Sequence, residues 1–283
     1  MVPLRRHIKE SLEGIYSSRE LLSVAREICS DLPGITESDL FSDTVPAPDI
    51  ERDALLEERL RRLSAGEPLQ YVMGSVQFCG IRLKCDRRAL IPRPETTELV
   101  EWVAAESSAE GTLLDIGTGS GCIAVALACK LPGWRISAWD ISPEALSLAA
   151  GNASLNNADI DFRVHDILDA GDVSAAGMFN AIVSNPPYIA QAESAGMESN
   201  VLDYEPHNAL FVPDADPLLF YRAIASFALS HLASDGTLYF EINPLYADRL
   251  EQLLSGYGFS VLFRSDISGR KRMAKAVFAN DRK

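Results

Sequence analysis

The stretch TLLDIGTGSG, residues 112–121, decides the fold of this chain. An apolar run closes on Asp115, glycines follow at 117, 119 and 121, and a second apolar run occupies 123–129. Glycine lets the backbone turn tightly and approach a ligand closely. The stretch therefore predicts a buried strand, a glycine-rich turn and the start of a helix, which is the opening unit of an α/β sheet.

The chain after residue 111 repeats this alternation of strand and helix. The strand-like stretches are 112–116, 134–140, 160–166, 179–185, 236–242, 259–265 and 274–279. The helical stretches lie at 121–130, 143–152, 217–232 and 245–255. Strands separated by helices predict a mostly parallel, doubly wound sheet, here a seven-stranded Rossmann-like α/β fold. The last two strands have no helix between them, so we expect an antiparallel hairpin at the sheet edge.

The first part of the chain has a different pattern. Residues 1–73 show helical spacing, with a capping-box pattern at 17–20 and a second helix predicted at 49–64. Apolar alternation then predicts a β-hairpin, which we interpret as a hinge at 74–88. The expected organisation is a small helical substrate-recognition domain, this hinge, and an α/β domain at 89–283.

Composition excludes several classes of protein. No apolar stretch is long enough to span a bilayer, and the N-terminus lacks the apolar core of a signal peptide. The five cysteines form no CxxC pair, so we expect a reduced cytoplasmic chain with no disulfide framework and no metal site. The net charge of −14 disfavours a general nucleic-acid binder, and we expect no direct DNA binding. A basic group near the C-terminus is interpreted as a solvated face or a contact to a ribonucleoprotein partner; it comprises Arg264, Arg270, Lys271, Arg272 and Lys275.

The glycine loop lacks the features of two phosphate-binding loops. A P-loop needs a lysine after its last glycine, and none is present. The dinucleotide fingerprint GxGxxG needs glycine at 122, where this chain has Cys122. GxGxG after an acidic residue is instead typical of S-adenosyl-L-methionine sites. The predicted cofactor-binding loop is Gly117, Thr118, Gly119, Ser120 and Gly121.

Acidic residues end the next two strands. Asp140 can accept hydrogen bonds from both ribose hydroxyls of an adenosine. Asp166 can accept from the adenine amino group, and Ile167 can cover the ring face. Any one of these carboxylates could be a helix cap or a surface charge. Their shared position at the C-terminal edge of the sheet favours a cofactor site, because open α/β sheets bind ligands there.

The motif Asn185-Pro-Pro-Tyr188 ends the fourth strand, on the same edge as the glycine loop. Methyl transfer is an in-line displacement, so the enzyme mainly positions the nucleophile. Two acceptors, the Asn185 side-chain oxygen and the Pro186 carbonyl, could orient the N–H groups of a planar nitrogen, while Tyr188 offers a flat face. A plain β-turn is the alternative for this motif alone. Beside the glycine loop and Asp140, it predicts methylation of a planar-group nitrogen.

These motifs, with several others, resemble those of one known family. DIGTGSG (115–121), VSNPPYI (183–189) and LIPRPETTELVE (90–101) are similar to runs in the release-factor glutamine N(5)-methyltransferases, the HemK/PrmC family. GEPLQYVMGSVQFCG (66–80) and YEPHNALF (204–211) are similar as well. The resemblance covers the chain from about residue 60 to the C-terminus. It implies a class I S-adenosylmethionine-dependent methyltransferase fold with a small N-terminal helical domain.

The resemblance also implies a substrate and further site residues. The substrate would be the glutamine of the Gly-Gly-Gln loop in class I peptide chain release factors, whose methylation supports translation termination. Asn185 and Pro186 would bind the amide as catalytic residues together with Tyr188, and the 189–216 segment would form the mouth of the site. The implied substrate-binding residues are Asn185, Pro186, Pro187, Tyr188, Arg93, Pro94 and Glu95. We expect a monomer with no membrane partner.

One departure from the family pattern affects the strand after this segment. Family members usually have a Glu-Ile-Gly run there, whereas this chain has Glu241-Ile-Asn-Pro244. Pro244 is expected to begin the next helix, so the fold should be preserved while that wall of the pocket changes.

Three alternatives to the release-factor reaction stay open at this point. A sister family with the same catalytic motif methylates a glutamine of a large-subunit ribosomal protein. A nucleic-acid amino-methyltransferase shares the Asn-Pro-Pro-Tyr motif, although the net charge disfavours it. A cofactor-binding or assembly protein without activity is the non-enzymatic alternative.

Overall fold

The computed structural model describes residues 3–42, 45–169 and 177–279. The chain divides into two compact units. One contains residues 1–75 and 198–204, and the other contains 76–197 and 205–283. The expected hinge at 74–88 and the domain limits drawn around it stay predictions.

The described residues form eleven α-helices and eleven strands. The helices are α1 (Leu4–Ser11), α2 (Ser18–Cys29), α3 (Ile50–Ser64), α4 (Leu69–Met73), α5 (Pro94–Glu106), α6 (Cys122–Lys130), α7 (Pro143–Leu155), α8 (Ser199–Tyr204), α9 (His207–Leu210), α10 (Leu219–His231) and α11 (Ala247–Gly256). The strands are β1 (Ser75–Phe78), β2 (Ile81–Lys84), β3 (Gly111–Ile116), β4 (Trp134–Asp140), β5 (Ile160–Val164), β6 (Phe179–Ser184), β7 (Ile189–Ala190), β8 (Phe211–Val212), β9 (Leu232–Glu241), β10 (Phe259–Ser265) and β11 (Lys271–Phe278). No described helix is long and apolar enough to cross a membrane.

The first unit is helical, as its sequence predicts. The capping box that opens α2 is present, because Ser17 Oγ accepts from the Glu20 amide and the Glu20 carboxylate accepts from the Ser17 amide. The predicted second helix is α3, capped by Asp49, whose carboxylate accepts from the Arg52 amide. Apolar side chains from α1, α2, α3 and α4 form the core of the first unit, among them the fully buried Ile8, Ile28, Leu60 and Leu63.

The second unit contains the predicted seven-stranded sheet. Its strand order is β10-β11-β9-β6-β3-β4-β5. Strands β3, β4, β5, β6 and β9 run parallel, and β11 is antiparallel to both β9 and β10. The antiparallel hairpin expected at the sheet edge is therefore confirmed.

Helices cover both faces of this sheet. Leu113 packs in a cluster with residues of α5 and α6, whereas its neighbour Leu114 packs in a second cluster with residues of α10 and α11. Tyr239 and Phe240 on β9 are divided between the same two clusters. Successive side chains of a strand point to opposite faces, so each inner strand is buried on both sides. Because helices cover both faces of the sheet, a ligand can bind at the ends of the strands but not on these faces.

A two-stranded hairpin, β1–β2, precedes the sheet. Its two turn residues, Cys79 and Gly80, have φ angles of 49° and 81°. A two-residue hairpin turn with positive φ at both positions matches the twist of its strands, although a cysteine there is uncommon. The hairpin predicted from the apolar alternation is thus confirmed.

The segment 189–216 is more ordered than its sequence indicates. Strands β7 and β8 pair in parallel, and a 3-10 turn at Gln191–Gly196, α8 and α9 lie between them. Its part 198–204 belongs to the first unit, where the Tyr204 hydroxyl donates to the Ala65 carbonyl at 2.8 Å. These short elements satisfy part of the backbone of the segment.

Candidate active site

A cavity lies in the second unit, at the C-terminal edge of the parallel strands. Residues at the ends of β3, β4 and β6 line it, together with the loop that leads into α5. The residues predicted from the sequence that line the cavity are Arg93, Gly117, Thr118, Gly119, Ser120, Asp140, Asp166, Ile167, Asn185, Pro186 and Pro187. Pro94, Glu95, Gly121 and Tyr188 are not on its wall.

The glycine loop turns sharply between β3 and α6. Gly117, Gly119 and Gly121 have φ angles of 72°, 55° and 79°, which residues with a side chain rarely adopt. The amides of Gly117 and Thr118 both donate to the Trp139 carbonyl on β4, at 2.8 and 3.0 Å. These bonds fix the loop against the neighbouring strand at the point where β4 also reaches the cavity.

The three glycines serve two purposes. A Cβ atom on Gly117 would meet no protein atom within 4 Å, so the open side of this residue is the cavity that it lines. A Cβ atom on Gly121 would come within 2.9 Å of the Ala149 Cβ atom on α7. Gly117 therefore leaves room for a ligand, whereas Gly121 lets α6 and α7 pack closely.

Asp115 is a fully buried carboxylic acid at the start of the glycine loop. Its Oδ2 atom accepts from Thr118 Oγ1 at 2.6 Å and from the Ala124 amide at 3.2 Å. Its Oδ1 atom has no hydrogen-bond partner among the described residues. Burial raises the pKa of Asp115 to about 7, because the charged form is poorly solvated there. Asp115 holds the shape of the loop and does not line the cavity.

Asp140 ends β4 with its carboxylate on the cavity wall. Its Oδ2 atom accepts from the Gly119 amide at 2.8 Å, and its Oδ1 atom accepts from the Ser142 amide at 2.9 Å. Burial raises the pKa of Asp140 despite these bonds. Each carboxylate oxygen can accept more than one hydrogen bond, so both can still receive the hydroxyls of a ribose.

Asp166 and Ile167 follow β5 on the same side of the cavity. The amide of the preceding His165 donates to the Asp140 carbonyl at 2.9 Å, which joins the two strand ends. Asp166 Oδ1 accepts from the Leu168 amide at 2.9 Å. The structure thus brings together the two carboxylates and the apolar side chain that the sequence predicts for adenosine.

Asn185 and Pro186 follow β6 on the cavity wall beside the glycine loop. Asn185 Nδ2 donates to Thr96 Oγ1 at 3.4 Å, and Thr96 Oγ1 donates to Glu241 Oε2 at 2.6 Å. No hydrogen bond from the described residues occupies Asn185 Oδ1. The oxygen predicted to accept from a substrate is therefore available at the cavity.

Tyr188 has different surroundings from those expected. Its hydroxyl donates to Glu241 Oε1 at 3.0 Å, and its ring packs against the apolar cluster under α10 and α11. Burial is the main reason why the pKa of Tyr188 lies above its ordinary value. A flat contact with the substrate stays a prediction for this residue, as it does for the contacts of Pro94 and Glu95.

Glu205 holds the segment after α8 against the loop before α5. Only 3% of this residue is exposed, and its carboxylate accepts from the Ile91 amide at 3.1 Å and from Arg93 Nη2 at 2.7 Å. A buried carboxylate is costly unless it is paired and hydrogen-bonded, as here. Pro206, Asn208 and Ala209, which follow it, line the cavity.

The departure at 243–244 changes contacts but preserves the fold. Pro244 begins a 3-10 turn that leads into α11, as expected. The side-chain Nδ2 atom of Asn243 donates to the Tyr188 carbonyl at 3.1 Å and to Glu193 Oε1 at 3.2 Å. Asn243 therefore ties the end of β9 to the Asn-Pro-Pro-Tyr loop through contacts that a glycine could not make.

Sequence reasoning assigned no role to four residues that hold this site, namely Thr96, Glu205, Glu241 and Asn243. Each lies in or beside a motif of the sequence, and those motifs are the one feature of the sequence that points to these residues. Their contacts join positions more than 50 residues apart, which no local pattern predicts. Among the residues that the structure describes, no cluster of three His, Cys, Asp or Glu side chains could hold a metal ion.

The known proteins and the family model that this chain resembles are methyltransferases. The model of the methyltransferase small domain family matches residues 95–202. A release factor glutamine methyltransferase of Bacteroides thetaiotaomicron is 41% identical over 273 residues, covering 95% of this chain and 97% of the relative. Another, from Flavobacterium psychrophilum, is 40% identical over 284 residues, covering 97% and 98%.

Solved structures share the architecture of the chain. A methyltransferase from Pyrococcus furiosus has a TM-score of 0.52 and 18% identity, covering 70% of this chain and 89% of its own. The hMettl16 catalytic domain has a TM-score of 0.56 and 16% identity, covering 90% and 92%. At such identities the likeness shows the fold alone. The seven-stranded class I methyltransferase fold and the use of S-adenosyl-L-methionine predicted from the sequence are confirmed.

Proposed function

The chain belongs to the release factor glutamine methyltransferases, and from that premise we propose its substrate and reaction. It transfers a methyl group from S-adenosyl-L-methionine to the side-chain amide nitrogen of the glutamine in the Gly-Gly-Gln motif of class I peptide chain release factors. The observation that carries this proposal is Asn185, which lines the cavity beside the glycine loop and directs its Nδ2 atom to Thr96, so that its Oδ1 atom is left for a substrate. Methylation of this glutamine supports translation termination.

The chemistry explains why such an oxygen is needed. The lone pair of an amide nitrogen is delocalised into its carbonyl group, so the nitrogen is a poor nucleophile. Hydrogen bonds from its two N–H groups to Asn185 Oδ1 and to the Pro186 carbonyl would hold the amide in one orientation. Proline has no N–H group of its own, so neither Pro186 nor Pro187 competes for these acceptors. Positioning of this kind can supply a large part of the rate enhancement.

The residues on the cavity wall fit the cofactor. When bound, S-adenosyl-L-methionine supplies an activated methyl group on a sulfonium centre. Gly117, Thr118, Gly119 and Ser120 leave an open, side-chain-poor surface for it, since a Cβ atom on Gly117 would fill empty space. Asp140 offers its carboxylate to the ribose hydroxyls, and Asp166 with Ile167 offers an acceptor and an apolar surface to the adenine.

The substrate contacts extend beyond the cavity. Arg93 lines the cavity, and we assign Pro94 and Glu95, which lie off its wall, to substrate contacts beside it. The segment after α8 is assigned to the mouth of the site, because Pro206 and Asn208 line the cavity. The helical domain at 1–73 is assigned to recognition of the release factor. Its exposed apolar side chains, Phe41 and Ile50, suit a protein partner. The enzyme acts as a monomer in the cytoplasm, where translation occurs.

Methyl transfer from radiolabelled S-adenosyl-L-methionine to matched acceptors tests the proposal. The acceptors are a purified class I release factor, the same factor with its Gly-Gly-Gln glutamine changed to alanine, total ribosomes, and DNA. The proposal predicts label on the unchanged factor alone. Label on ribosomes but not on the factor would move the assignment to a ribosomal protein, and label on DNA would overturn the argument from charge.

A further inference from the structure

The end of β9 is linked to Asn185 by a chain of side chains. Glu241, 1% exposed, accepts from Thr96 Oγ1 at 2.6 Å and from the Tyr188 hydroxyl at 3.0 Å. Thr96, also 1% exposed, accepts in turn from Asn185 Nδ2. The chain therefore runs from a buried carboxylate, through one hydroxyl, to the amide that is expected to hold the substrate.

The number of available protons gives this chain a direction. An ionised carboxylate can only accept hydrogen bonds, so Thr96 must donate its single hydroxyl proton to Glu241. Thr96 Oγ1 can then only accept from its other neighbour. The group of Asn185 that faces Thr96 must therefore be the NH₂ group, and its oxygen must face the other way.

The two hydroxyl donors around Glu241 match an ionised carboxylate, because each of its oxygens faces one of them. Burial is the largest effect on this group and leaves its pKa above the ordinary value, and the negative charge of Glu95 acts in the same direction. The hydrogen bonds from Thr96 and Tyr188 and the positive charge of Arg272 lower it. The two hydroxyl groups point at different carboxylate oxygens, so both oxygens have a donor.

We propose that Thr96 and Glu241 are positioning residues that fix the orientation of the Asn185 amide, with Oδ1 towards the substrate. This inference rests on the proposed function, because it concerns the group that holds the substrate amide. An Asn185 amide turned by 180° would present its own N–H groups to the N–H groups of the substrate. Two donors facing each other cannot form a hydrogen bond, so the turned form would not hold the nucleophile.

Substitution of Thr96 by valine or serine tests the role of its hydroxyl. T96V keeps the shape of the side chain but removes the acceptor that binds Nδ2, whereas T96S keeps it. Because misplacement of a reacting group by about 1 Å can cost on the order of 100-fold in rate, we expect T96V to lower kcat by about 10- to 100-fold. We expect T96S to stay within about 3-fold of the parent, and neither variant to change cofactor affinity by more than about 3-fold.

The N-terminal ends of β3 and β6, at the other end of the strands from the cavity, supply a matched control. There Thr112 Oγ1 donates to the Met178 carbonyl at 2.9 Å and lies 3.1 Å from Asn180 Oδ1. T112V therefore removes a threonine hydroxyl that also contacts an asparagine on β6, but far from the cavity wall. We expect T112V to leave kcat unchanged, which separates the loss of a positioned amide from a general cost of the substitution.

A double-mutant cycle tests whether Glu241 acts through Thr96. E241Q keeps the size of the side chain but cannot accept from both hydroxyls with both of its terminal atoms. If Glu241 acts through Thr96, the double variant T96V/E241Q loses no more kcat than T96V alone. Thermal unfolding of each variant shows whether it is folded, and T96A, which also removes the hydroxyl, replaces T96V in the test if T96V is not.

The outcomes separate this inference from the proposed function. Loss of kcat in T96V, recovery in T96S and a non-additive double variant support it. A T96V variant as active as the parent, a T96S variant as inactive as T96V, or fully additive losses would overturn it while methylation of the release factor by the parent stands. Failure of the parent enzyme to label the release factor would instead overturn the proposed function.

Discussion

The glycine loop at 115–121 and the Asn-Pro-Pro-Tyr loop at 185–188 end the neighbouring strands β3 and β6, but different contacts hold them. The glycine loop is fixed by backbone bonds to Trp139 and by the side chains of Asp115, Asp140 and Asn152, which lie 3, 21 and 32 positions from the loop residues that they bind. The second loop is fixed by side chains of Thr96, Glu241 and Asn243, which come from α5 and from the end of β9. Substitutions in the glycine loop and its neighbouring strand should therefore lower the affinity for the cofactor. Substitutions in α5 or at the end of β9, which are distant in the sequence from the second loop, should lower turnover.

Substitution of Asn185 should give the largest effect and separate the two loops most clearly. N185A removes the side-chain oxygen predicted to hold the substrate amide, so we expect kcat to fall by about 100- to 1,000-fold, the range seen when one preorganised hydrogen-bonding group is lost. Cofactor affinity, measured by calorimetry, should stay near that of the parent. N180A, near the N-terminal end of the same strand and away from the cavity, is the control. An equal loss of turnover and of cofactor affinity in N185A would contradict the assigned role.

Substitution of Asp140 should have the converse effect. Because hydrogen bonds to a charged group contribute about 1.5 to 3 kcal/mol, D140A should weaken S-adenosyl-L-methionine binding by about 10- to 100-fold. Turnover at saturating cofactor should change much less. Titration of both variants with the cofactor measures this, with D161A on the exposed part of β5 as the matched control. Unchanged affinity in D140A would remove the ribose contact from the account.

The two purposes of the glycines can be separated by a pair of alanine variants. G117A and G121A place a side chain at similar positive φ angles, but only the latter puts its Cβ atom within 2.9 Å of Ala149. Overpacking of this kind costs about 1 to 3 kcal/mol, so G121A should lower the free energy of unfolding more than G117A. G117A should instead weaken cofactor binding. Urea denaturation and cofactor titration compare the two, and the reverse pattern would contradict the division of roles.

Asp115 predicts that the free energy of unfolding depends on pH. Its pKa is about 7 in the folded chain and about 3.9 in an unfolded one, so the folded chain binds an extra proton between these values. The free energy of unfolding contributed by this group therefore falls as pH rises from about 4 to about 7, by at most about 1.4 kcal/mol per pH unit. D115N cannot titrate and should lack that fall. Urea denaturation at several pH values would contradict the account if both proteins changed alike.

Much of the cofactor half of the site could be predicted from the sequence. The glycine loop, Asp140 and Asp166 each follow a strand that the apolar pattern displays, and parallel strands bring their C-terminal ends to one edge. The structure places residues 117–120, Asp140 and Asp166 on one cavity. Gly121 was grouped with the loop because the motif includes it, whereas its contact with Ala149 depends on how two helices pack.

The substrate half could be predicted only in part. Asn185 and the two prolines were recognised from their motif, and the structure places them on the same cavity. The side chains that bind this motif are distant in the sequence: Thr96 lies 89 positions from Asn185, and Glu241 lies 53 positions from Tyr188. Such contacts depend on the tertiary fold, so no local pattern contains them. The short elements within 189–216 were missed for a similar reason, because two-residue strands leave no readable alternation.

The most direct test of the central claim is to locate the transferred methyl group in the product. A class I release factor is incubated with the enzyme and S-adenosyl-L-methionine, digested, and analysed by tandem mass spectrometry. The account predicts one added methyl group on the side-chain nitrogen of the Gly-Gly-Gln glutamine, absent when N185A replaces the parent enzyme. A methyl group on another residue or on the backbone, or the same product with N185A, would contradict it.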